Sequence, residues 1–416
     1  MSLYTFELSL PKSKNLQADI QITGSKSETN RLLLLQALFD KISISNTSNS
    51  DDAVAMAAGL KINQGEVDIH HAGTAMRFLT SYFASREGKE VILTGSKRMQ
   101  ERPIKILVDA LRSLGASIEY TKNEGYPPLK ITGKKLEQNK VVMAANVSSQ
   151  YISSLLLIAP SLPNGLELHL EGKITSVPYI KMTLALLDSI GVSTSFEGQI
   201  IKVAHKSSVS AQELVVESDW SSASYFYSLC ALADIGSQIK LSSYKKDSLQ
   251  GDSVLAQIYT ELGVETTYEG HSIVLKKISE VSSKVKNSGL VWDLANAPDI
   301  AQTIAVTCFG LRVSCSLTGL HTLKIKETDR LVALYNELSK FGAKVTIDDK
   351  SLQLELFEGD YNLGVSVATY NDHRMAMAFA PLALLVPFKV EDAMVVTKSF
   401  PDFWEDMQTI GIGVSH

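Results

Sequence analysis

One short pattern recurs along the whole chain and constrains its fold more than any other feature. A helix-like apolar stretch ends at a glycine, and a strand-like alternating segment follows at once. The glycines at these junctions are separated by 56, 76, 72, 79 and 69 residues; they are Gly59, Gly115, Gly191, Gly263, Gly342 and Gly411. Glycine is favoured where a helix ends in a left-handed conformation, because it has no Cβ. The spacing predicts six α/β units, although such junctions also occur in α/β proteins without repeats.

The length of the chain requires more than one hydrophobic core. A single core stops growing at roughly 250 to 300 residues, and this chain has 416. Hydrophobic residues make up 45% of it and charged residues 20%, which excludes an intrinsically disordered protein. We therefore expect an α/β protein of at least two domains. The composition itself marks no boundary between them.

The charge balance argues against polyanionic partners. There are 45 Asp and Glu residues against 40 Lys and Arg, a net charge of −5, and no long run of basic residues. Nucleic acid and anionic membranes are therefore not expected partners.

Neither a membrane span nor a secretory signal is expected. The longest apolar run, residues 375–388, contains two prolines. It is shorter than the about 20 residues needed to cross a bilayer, so it is expected to be a core helix. The N-terminus lacks a signal-peptide pattern, and the three cysteines form no CxxC pair. We expect a cytoplasmic protein with buried, reduced thiols.

Polar turns precede several of the apolar helices. In the segment GSKSETNR, Ser25 and Glu28 form a capping-box pattern before a long apolar stretch. The segments GTAMRF, SSQYIS, DWSSAS, KETDRL and YNDHRM have the same form. The free N–H groups and the dipole of a helix N-terminus attract anions. A protein that brings several such ends together can hold phosphates and carboxylates.

Cations lie in or near these turns, where they oppose the helix dipole unless an anion is shared between them. They are Lys26, Arg31, Arg77, Arg102, Lys326, Arg330, Arg374 and Lys398. If the helix of KETDRL begins early, Lys326 and Arg330 share a face of its first turn. Arginine suits bidentate binding of carboxylate or phosphate. The alternative for each cation is a solvated charge or a surface ion pair.

Candidates for acid–base chemistry stand beside these cations; they are Asp299, Glu327, Asp372 and His373. Surrounding cations lower the pKa of a carboxylate, whereas burial raises it. Asp372 and Asp329 are best explained as helix caps. Glu327 lies in a turn between Lys326 and Arg330, and a purely structural role explains it less well than it explains the two aspartates.

Two apparent motifs do not carry chemistry. The segment GSKS lacks the glycines of a phosphate-binding P-loop. His70 and His71 are adjacent, so their side chains diverge, and no third metal ligand stands nearby. We interpret this pair as part of a turn and expect neither a metal nor an organic cofactor.

The motifs taken together resemble a known family. GSKSETNR, GTAMR, RMQERP, SSQ, SVPY, PDIAQT, KETDRL, YNDHRMAMAF and KSFPDFW occur in the order seen in 5-enolpyruvylshikimate-3-phosphate (EPSP) synthases, which are enolpyruvyl transferases. The resemblance implies transfer of the enolpyruvyl group of phosphoenolpyruvate to the 5-hydroxyl of shikimate 3-phosphate, with release of phosphate, on the route to chorismate. It implies no metal and no cofactor.

The same resemblance implies the domain organisation. Two globular domains would each contain three α/β units with inner helices and outer sheets, an inside-out α/β barrel, joined by a hinge of two chain crossings. Residues 24–217 would form the domain on the shikimate phosphate side. Residues 1–23 plus 218–416 would form the domain that carries the acid–base groups and binds the phosphoenolpyruvate carboxylate. Binding would close the domains, and the protein is expected to be a monomer.

The matching positions take implied roles. The implied ligands of shikimate 3-phosphate are Lys26, Ser27, Arg31, Ser148, Ser149, Gln150, Ser176, Tyr179, Asp299, Thr322 and Lys326. The implied ligands of phosphoenolpyruvate are Lys26, Gly73, Arg77, Arg102, Gln150, Arg330, Arg374 and Lys398. The implied catalytic residues are Lys26, Asp299, Glu327 and His373. Glu327 would protonate the methylene carbon and later remove a proton, and Asp299 would accept the hydroxyl proton.

Some positions depart from the family pattern, and two other functions stay open. His70 and His71 replace the usual Gly-Asn before GTAMR, Phe78 replaces a common Pro, and Thr322 replaces an Asn. These departures affect the expected affinity for phosphoenolpyruvate and leave glyphosate sensitivity undetermined.

The alternatives are an enolpyruvyl transferase acting on UDP-N-acetylglucosamine and a non-catalytic binding protein for phosphate ligands. The first typically has a loop cysteine in its N-terminal half, whereas Cys230 is the first cysteine here.

Overall fold

The computed structural model describes residues 4–145, 148–172, 174 and 177–415. The α-helices in this part of the chain are α1 (Lys26–Leu38), α2 (Asp51–Leu60), α3 (Gly73–Ala84), α4 (Lys97–Gln100), α5 (Lys105–Ser113), α6 (Ser149–Ile158), α7 (Val177–Ser189), α8 (Trp220–Leu232), α9 (Leu255–Glu261), α10 (Ser283–Ser288), α11 (Ala301–Gly310), α12 (Arg330–Lys340), α13 (His373–Phe379) and α14 (Phe403–Ile410). Short 3₁₀ helices cover Ala159–Ser161, Gly251–Val254, Pro298–Ile300, His321–Ile325, Ala380–Leu384 and Ala393–Lys398.

The strands are short and distributed along the whole chain. They are β1 (Phe6–Ser9), β2 (Gln17–Ile20), β3 (Ile42–Ser45), β4 (Gln64–Asp68), β5 (Glu90–Thr94), β6 (Ser117–Tyr120), β7 (Leu129–Thr132), β8 (Lys140–Ala144), β9 (Leu166–Glu171), β10 (Thr194–Glu197), β11 (Ile200–Val203), β12 (Gln212–Val215), β13 (Gln238–Ser242), β14 (Val264–Glu269), β15 (Ser272–Lys277), β16 (Leu290–Asp293), β17 (Cys315–Thr318), β18 (Val345–Ile347), β19 (Leu352–Leu354), β20 (Ser366–Val367), β21 (Phe388–Val390) and β22 (Gly413–Ser415).

The chain divides into two compact units. The continuous unit is Gly24–Val216, and the discontinuous unit is Met1–Thr23 with Glu217–His416. Each unit has its own hydrophobic core, as expected for a chain too long for a single core. Glu217 belongs to the discontinuous unit, where its buried carboxylate accepts hydrogen bonds from Trp220 and Ser248.

Most of the sheets share one topology. In the continuous unit the strand orders are β4-β5-β7-β6 and β8-β9-β11-β10. In the discontinuous unit they are β2-β13-β15-β14, β16-β17-β19-β18 and β20-β21-β1-β22. Each of these sheets starts with a parallel pair and continues with two antiparallel pairings. The remaining sheet is the parallel pair β3-β12. The fold is therefore a mixed α/β fold built from a repeated arrangement.

The junction glycines explain why the repeat was visible in the sequence. Five of the six have positive φ angles between 79° and 106°, and the strand after each of them is the edge strand of a four-stranded sheet. The prediction is wrong for Gly59, which lies inside α2. A Cβ at this position would lie 2.5 Å from Leu79 Cδ1, so the glycine allows close packing of α2 against α3 instead.

Helices fill the interior of each unit. In the continuous unit α3 is buried along its whole length and α6 at every position but one. In the discontinuous unit α8 and α11 are each buried at every position but one. Strands such as β8 and β1 alternate buried and exposed residues. A strand with this alternation has one face toward the core and the other toward solvent.

Three further expectations have definite outcomes. The apolar run at 375–388 is not one long helix, because α13 ends at Phe379 and a 3₁₀ helix and β21 follow. Among the described residues no helix combines the length and the apolar character needed to span a membrane. The three cysteines are free and buried, as predicted.

Candidate active site

Aspartate caps begin two helices that carry charged residues of the discontinuous unit. Asp329 accepts hydrogen bonds from the amides of Leu331 and Val332 at 3.2 Å, so α12 begins at Arg330. Asp372 accepts one from the amide of Arg374 at 2.9 Å and begins α13. Both predicted caps are confirmed. Because α12 begins this late, Lys326 lies before the helix, and the suggestion that it shares a helical turn with Arg330 is wrong.

Arg330 is the centre of a buried ion-pair cluster. Its side chain is 2% exposed and lies 2.7 Å from Asp372, 2.8 Å from Asp299 and 2.8 Å from Glu327. Burial by itself would lower the pKa of this guanidinium, but the charges of Asp372, Glu327 and Asp299 raise it above its ordinary value. A buried guanidinium is stable only when paired in this way. Carboxylates from three separate chain segments therefore hold one arginine in place.

Asp299 lies in the 3₁₀ helix Pro298–Ile300, immediately before α11, and contacts three cations. Its carboxylate is 2.8 Å from Arg330, 3.3 Å from Lys326 and 3.3 Å from Arg374. Burial would raise the pKa of this carboxyl group, but the charges of Lys326, Arg374 and Arg330 hold it well below its usual range. Asp299 is therefore ionised in this state of the protein.

The other predicted residues of the discontinuous unit lie close to this cluster. Glu327 keeps 32% of its side chain exposed while it contacts Arg330. His373 is buried, with Nδ1 3.9 Å from an oxygen of Asp372. Arg374 contacts the Ser221 hydroxyl at 3.3 Å, and its Nε has no hydrogen-bond partner among the described residues. Glu327 is thus the cluster carboxylate most accessible to a ligand.

Two other predicted ligands, Lys398 and Thr322, differ from each other in their hydrogen bonding. The ammonium group of Lys398 donates to both the carbonyl and the side-chain oxygen of Asn371, each at 2.7 Å. Asn371 immediately precedes the cap residue Asp372, which brings Lys398 to the beginning of α13. The Thr322 hydroxyl is buried without a hydrogen-bond partner in the described part of the chain. It lies in the 3₁₀ helix that leads to Lys326.

In the continuous unit, the N-terminus of α3 has no side-chain cap and is covered by arginines. A Cβ at Gly73 would lie 2.7 Å from Nη1 of Arg102, so only glycine allows this approach. Arg77 is 4% exposed and donates to the carbonyl of Gly73 at 3.1 Å. Burial and, next, the charge of Arg102 lower the pKa of Arg77 to about 10. Two guanidinium groups thus lie at a helix end whose amide groups also favour an anion.

Arg31 is buried at the start of α1, which Ser25 caps through the amide of Glu28. The Arg31 guanidinium donates to Thr183 at 2.8 Å and to Ser153 at 3.0 Å. Burial lowers its pKa to about 10.

The cations of the continuous unit differ in one respect from those around Asp299. Among the described residues no carboxylate lies within 4 Å of the charged groups of Lys26, Arg31, Arg77 or Arg102. Buried cations are normally paired with an anion. The continuous unit therefore has the positive charge needed for anionic ligands.

The predicted polar residues of this unit lie at helix starts. Ser148 caps α6 through the amide of Gln150 at 3.3 Å. The Gln150 side chain donates to the Thr74 hydroxyl at 3.2 Å and so connects α6 to α3. Ser149 and Tyr179 lie in the first turns of α6 and α7, and Ser27 in that of α1. Ser176 lies outside the described residues.

The departures from the family pattern are placed as follows. His70 and His71 form a turn before α3, as predicted. The expectation that their side chains diverge is wrong, because their Nδ1 atoms lie 2.7 Å apart and share a hydrogen bond. His71 Nε2 also lies 3.5 Å from Asp51. Phe78 is fully buried, and its ring lies 5.4 Å from the Arg31 guanidinium.

Sequence reasoning missed several residues of these clusters. Asp252 is buried, accepts a hydrogen bond from Ser221, and has its pKa raised to about 7, mainly by burial and then by the charge of Asp299. Thr183 and Ser153 bind Arg31, yet Ser and Thr inside apolar helices give no distinct signal. Of the missed residues, Asn371 was the easiest to find from the sequence, because it lies inside the motif YNDHR and because Asn tolerates the left-handed backbone conformation of a turn.

Comparisons with known proteins identify the family. The model of the EPSP synthase family (3-phosphoshikimate 1-carboxyvinyltransferase) matches residues 62–407. A 3-phosphoshikimate 1-carboxyvinyltransferase of Bacteroides fragilis strain YCH46 is 43% identical over 411 residues, which cover 97% of this chain and 98% of that protein. One from Haemophilus influenzae strain PittGG is 34% identical, with 97% and 99% covered.

A solved structure has the same fold. The structure of EPSP synthase from Acinetobacter baumannii matches with a TM-score of 0.81 at 20% identity, covering 99% of this chain and 100% of that one. The mixed α/β fold and the sequence relatives define an enolpyruvyl transferase. Within that class, the chain belongs to the EPSP synthase family.

Proposed function

We propose that this protein transfers the enolpyruvyl group of phosphoenolpyruvate to the 5-hydroxyl of shikimate 3-phosphate and releases phosphate, a step of the shikimate pathway. Its membership of the EPSP synthase family supports this reaction. The observation that carries it is the cluster in which Lys326, Arg330 and Arg374 surround Asp299 while Glu327 stays partly exposed. Such a cluster supplies cations for a bound carboxylate and two carboxylates for proton transfer.

The first half of the reaction is an addition. Glu327, as a carboxylic acid, gives its proton to the methylene carbon of phosphoenolpyruvate, and the neighbouring carbon becomes cation-like. The 5-hydroxyl oxygen attacks that carbon while its proton passes to Asp299, which forms a tetrahedral ketal phosphate. Fixed charges placed where charge develops lower the barrier to such a step.

The second half is an elimination. The Glu327 carboxylate removes a proton from the new methyl group, the double bond forms again, and the carbon–oxygen bond to phosphate breaks. His373 supports this acid–base group from α13. Glu327 regains its starting proton, and the proton held by Asp299 leaves with the released phosphate, so the enzyme returns unchanged.

The basicity of Asp299 depends on the ligand. A carboxylate held far below its ordinary pKa is a weak base. Arg330 and Arg374, which bind the carboxylate of phosphoenolpyruvate, are two of the three cations that lower the pKa of Asp299. When the substrate carboxylate shares these guanidinium groups, the pKa of Asp299 rises, and it becomes able to accept the hydroxyl proton. Binding of phosphoenolpyruvate thus makes Asp299 a stronger base.

The remaining ligands are those that the resemblance to the family implies. Arg102, Lys398 and the Gly73 backbone bind the phosphate of phosphoenolpyruvate, and Arg77 is a further ligand of that substrate. Lys26 and Gln150 contact both substrates. Ser148, Ser149 and Ser176 bind the phosphate of shikimate 3-phosphate, Ser27 and Arg31 bind its carboxylate, and Tyr179 lies beside its ring. The ring hydroxyls meet Asp299, Thr322 and Lys326. The absence of any carboxylate within 4 Å of the guanidinium groups of Arg31, Arg77 and Arg102, among the residues that the structure describes, supports this set.

The finer organisation belongs to the same proposal. Three α/β units with inner helices and outer sheets make up each domain. The predicted boundary at 217 moves by one residue, so that 24–216 form the domain on the shikimate phosphate side and 1–23 plus 217–416 the domain on the acid–base side. The chain crossings at their ends act as a hinge for closure, and the protein is a cytoplasmic monomer. The shared strand order of the sheets supports the repeat units, and free buried cysteines are consistent with a reducing compartment.

A phosphate-release assay with two acceptors tests this function. Purified protein and phosphoenolpyruvate are incubated with shikimate 3-phosphate or with UDP-N-acetylglucosamine, and free phosphate is measured. Release is expected only with shikimate 3-phosphate. Release with the UDP-sugar instead would establish the other transferase activity, and binding of phosphoenolpyruvate without release in either case would establish a non-catalytic binding protein.

A further inference from the structure

The segment before α13 has an unusual backbone. Tyr370 and Asn371 are consecutive and have φ angles of 54° and 58°. Residues other than glycine rarely adopt the left-handed region, and two in succession persist only when surrounding contacts hold them there. The next residues are Asp372, His373 and Arg374, which belong to the active-site cluster. The strained pair therefore lies where it can determine the position of catalytic groups.

Glu337 holds one end of this segment. It lies on α12, fully buried, and accepts hydrogen bonds from the Tyr370 hydroxyl at 2.6 Å and the Ala368 amide at 3.0 Å. Lys340 lies 2.6 Å from the same carboxylate and balances its charge. The pKa of Tyr370 is raised to about 12 by burial and by this bond to Glu337, so the hydroxyl stays a donor.

Arg330 holds the other end. It stands two helical turns before Glu337 on α12, so both side chains lie on one face of that helix. Arg330 Nε lies 2.7 Å from Asp372. The segment from Ala368 to Asp372 is therefore attached to α12 at two points, on either side of the strained pair. Such a two-point attachment leaves little freedom to the residues between.

Asn371, which lies between these points, holds the ammonium group of Lys398. Both its backbone carbonyl oxygen and its side-chain oxygen lie 2.7 Å from Nζ. A lysine side chain is otherwise flexible and binds anions as a mobile point charge. Two fixed oxygen acceptors give this ammonium group a defined position.

We propose that Glu337 and Tyr370 are positioning residues that hold Asn371 in its left-handed conformation, and that Asn371 thereby places the Lys398 ammonium group for the phosphate of phosphoenolpyruvate. This inference rests on the proposed role of Lys398 in phosphoenolpyruvate binding. It implies that affinity for one substrate depends on a hydroxyl group that touches neither substrate. A merely structural role of Tyr370 would affect both substrates alike.

The first test is Tyr370→Phe, which keeps the ring and removes only the donor to Glu337. Loss of a hydrogen bond to a charged acceptor is expected to raise the KM for phosphoenolpyruvate at least ~10-fold. The KM for shikimate 3-phosphate and kcat should change less than about twofold. Tyr361→Phe is the matched control, because it removes a hydroxyl that donates to the Gly310 carbonyl at 3.2 Å in the same unit. The control should leave both KM values unchanged.

A pair of substitutions at Asn371 tests the backbone itself. Asn371→Gly keeps the backbone acceptor and adopts the left-handed conformation without strain, whereas Asn371→Ala does not. Both variants lack the side-chain acceptor, so the difference between them reports the backbone alone. The alanine variant is expected to have the higher KM for phosphoenolpyruvate. Equal KM values would overturn the role of the left-handed conformation.

Hydrogen exchange separates this inference from the proposed function. In Tyr370→Phe the amides of residues 366–374 should exchange faster than in the wild type, and in Tyr361→Phe they should not. An inactive wild-type protein would refute the proposed function, while the exchange result would still decide whether Tyr370 holds the segment. Unchanged exchange, or an equal rise of both KM values in Tyr370→Phe, would overturn the positioning role.

Discussion

Replacing Glu327 by glutamine separates its chemical role from its structural one. The glutamine side chain keeps the size of glutamate and an oxygen that can accept the hydrogen bond from Arg330, now 2.8 Å from the carboxylate. It loses the negative charge and the ability to donate or accept the catalytic proton. Arg330 would still have Asp372 and Asp299 as ion-pair partners at 2.7 and 2.8 Å.

The two roles predict effects of different size. The Glu327 side chain is 32% exposed, so solvent screens its ion pair, which is worth at most about 1 kcal/mol, or about fivefold in a binding constant. Loss of a general acid–base group costs at least ~100-fold in rate, or about 2.7 kcal/mol. We therefore expect Glu327→Gln to bind both substrates within about fivefold of the wild type while kcat falls at least ~100-fold.

Two measurements check this prediction. Phosphate release gives kcat and KM, and NMR in deuterated water reports deuterium entering the methylene group of phosphoenolpyruvate through the reversible addition. Both signals should be lost in Glu327→Gln. The control is Glu7→Gln, which removes an exposed carboxylate 2.6 Å from Lys389 in the same unit and should leave both unchanged. If Glu327→Gln keeps turnover within about tenfold of the wild type, a general acid–base role for Glu327 is refuted.

Two further predictions concern buried charges. Arg31→Lys should raise the KM for shikimate 3-phosphate at least ~10-fold in the phosphate-release assay, because an ammonium group has fewer N–H donors than a guanidinium and cannot bond Thr183, Ser153, the Ser27 carbonyl and a ligand at once. Arg112→Lys, a surface change in the same unit, is the control, and a KM equal to that of the wild type in Arg31→Lys would contradict the role. Folding raises the pKa of Asp252 from 3.8 to about 7. At pH values between these two, the carboxyl group is ionised in the unfolded chain but protonated in the folded protein. The free energy of unfolding therefore falls as the pH rises through this range. Urea unfolding between about pH 4 and pH 7 should show this slope in the wild type and a smaller one in Asp252→Asn; the same slope in both would show that the raised pKa is wrong.

The backbone signals of single residues could be interpreted from the sequence. Gly115 and Gly411 follow apolar helices and have the positive φ angles that glycine permits. Asp329 and Asp372 stand before apolar helices and cap them. Each of these predictions depends only on a residue and its near neighbours in the chain. The failure at Gly59 has a different origin, because that glycine is required by contact with Leu79 from another helix.

The charged residues show the same division. The pattern KETDRL placed Lys326, Glu327 and Arg330 together, as neighbours in one segment. It gave no indication that Arg330 would be buried between Asp299 and Asp372, which come from segments 31 and 42 residues away. The low pKa of Asp299 results from its distances to Lys326, Arg330 and Arg374 in space and is opposed by its burial. The local sequence indicates neither these distances nor the burial.

The sequence by itself determined the α/β class, most of the junctions between helices and edge strands, the helix caps and, through its motifs, the family. These properties depend on backbone preferences and on the order of residues along the chain. Only the tertiary structure decided that Asn371 holds Lys398 and that Glu337 holds the segment around Asn371. It also decided that Arg31 and Arg77 are buried with no carboxylate within ion-pair distance in the described part of the chain, and that the pKa of Asp252 is raised to about 7. Burial and the distance between charges set these properties, and both arise only when distant segments of the chain pack together.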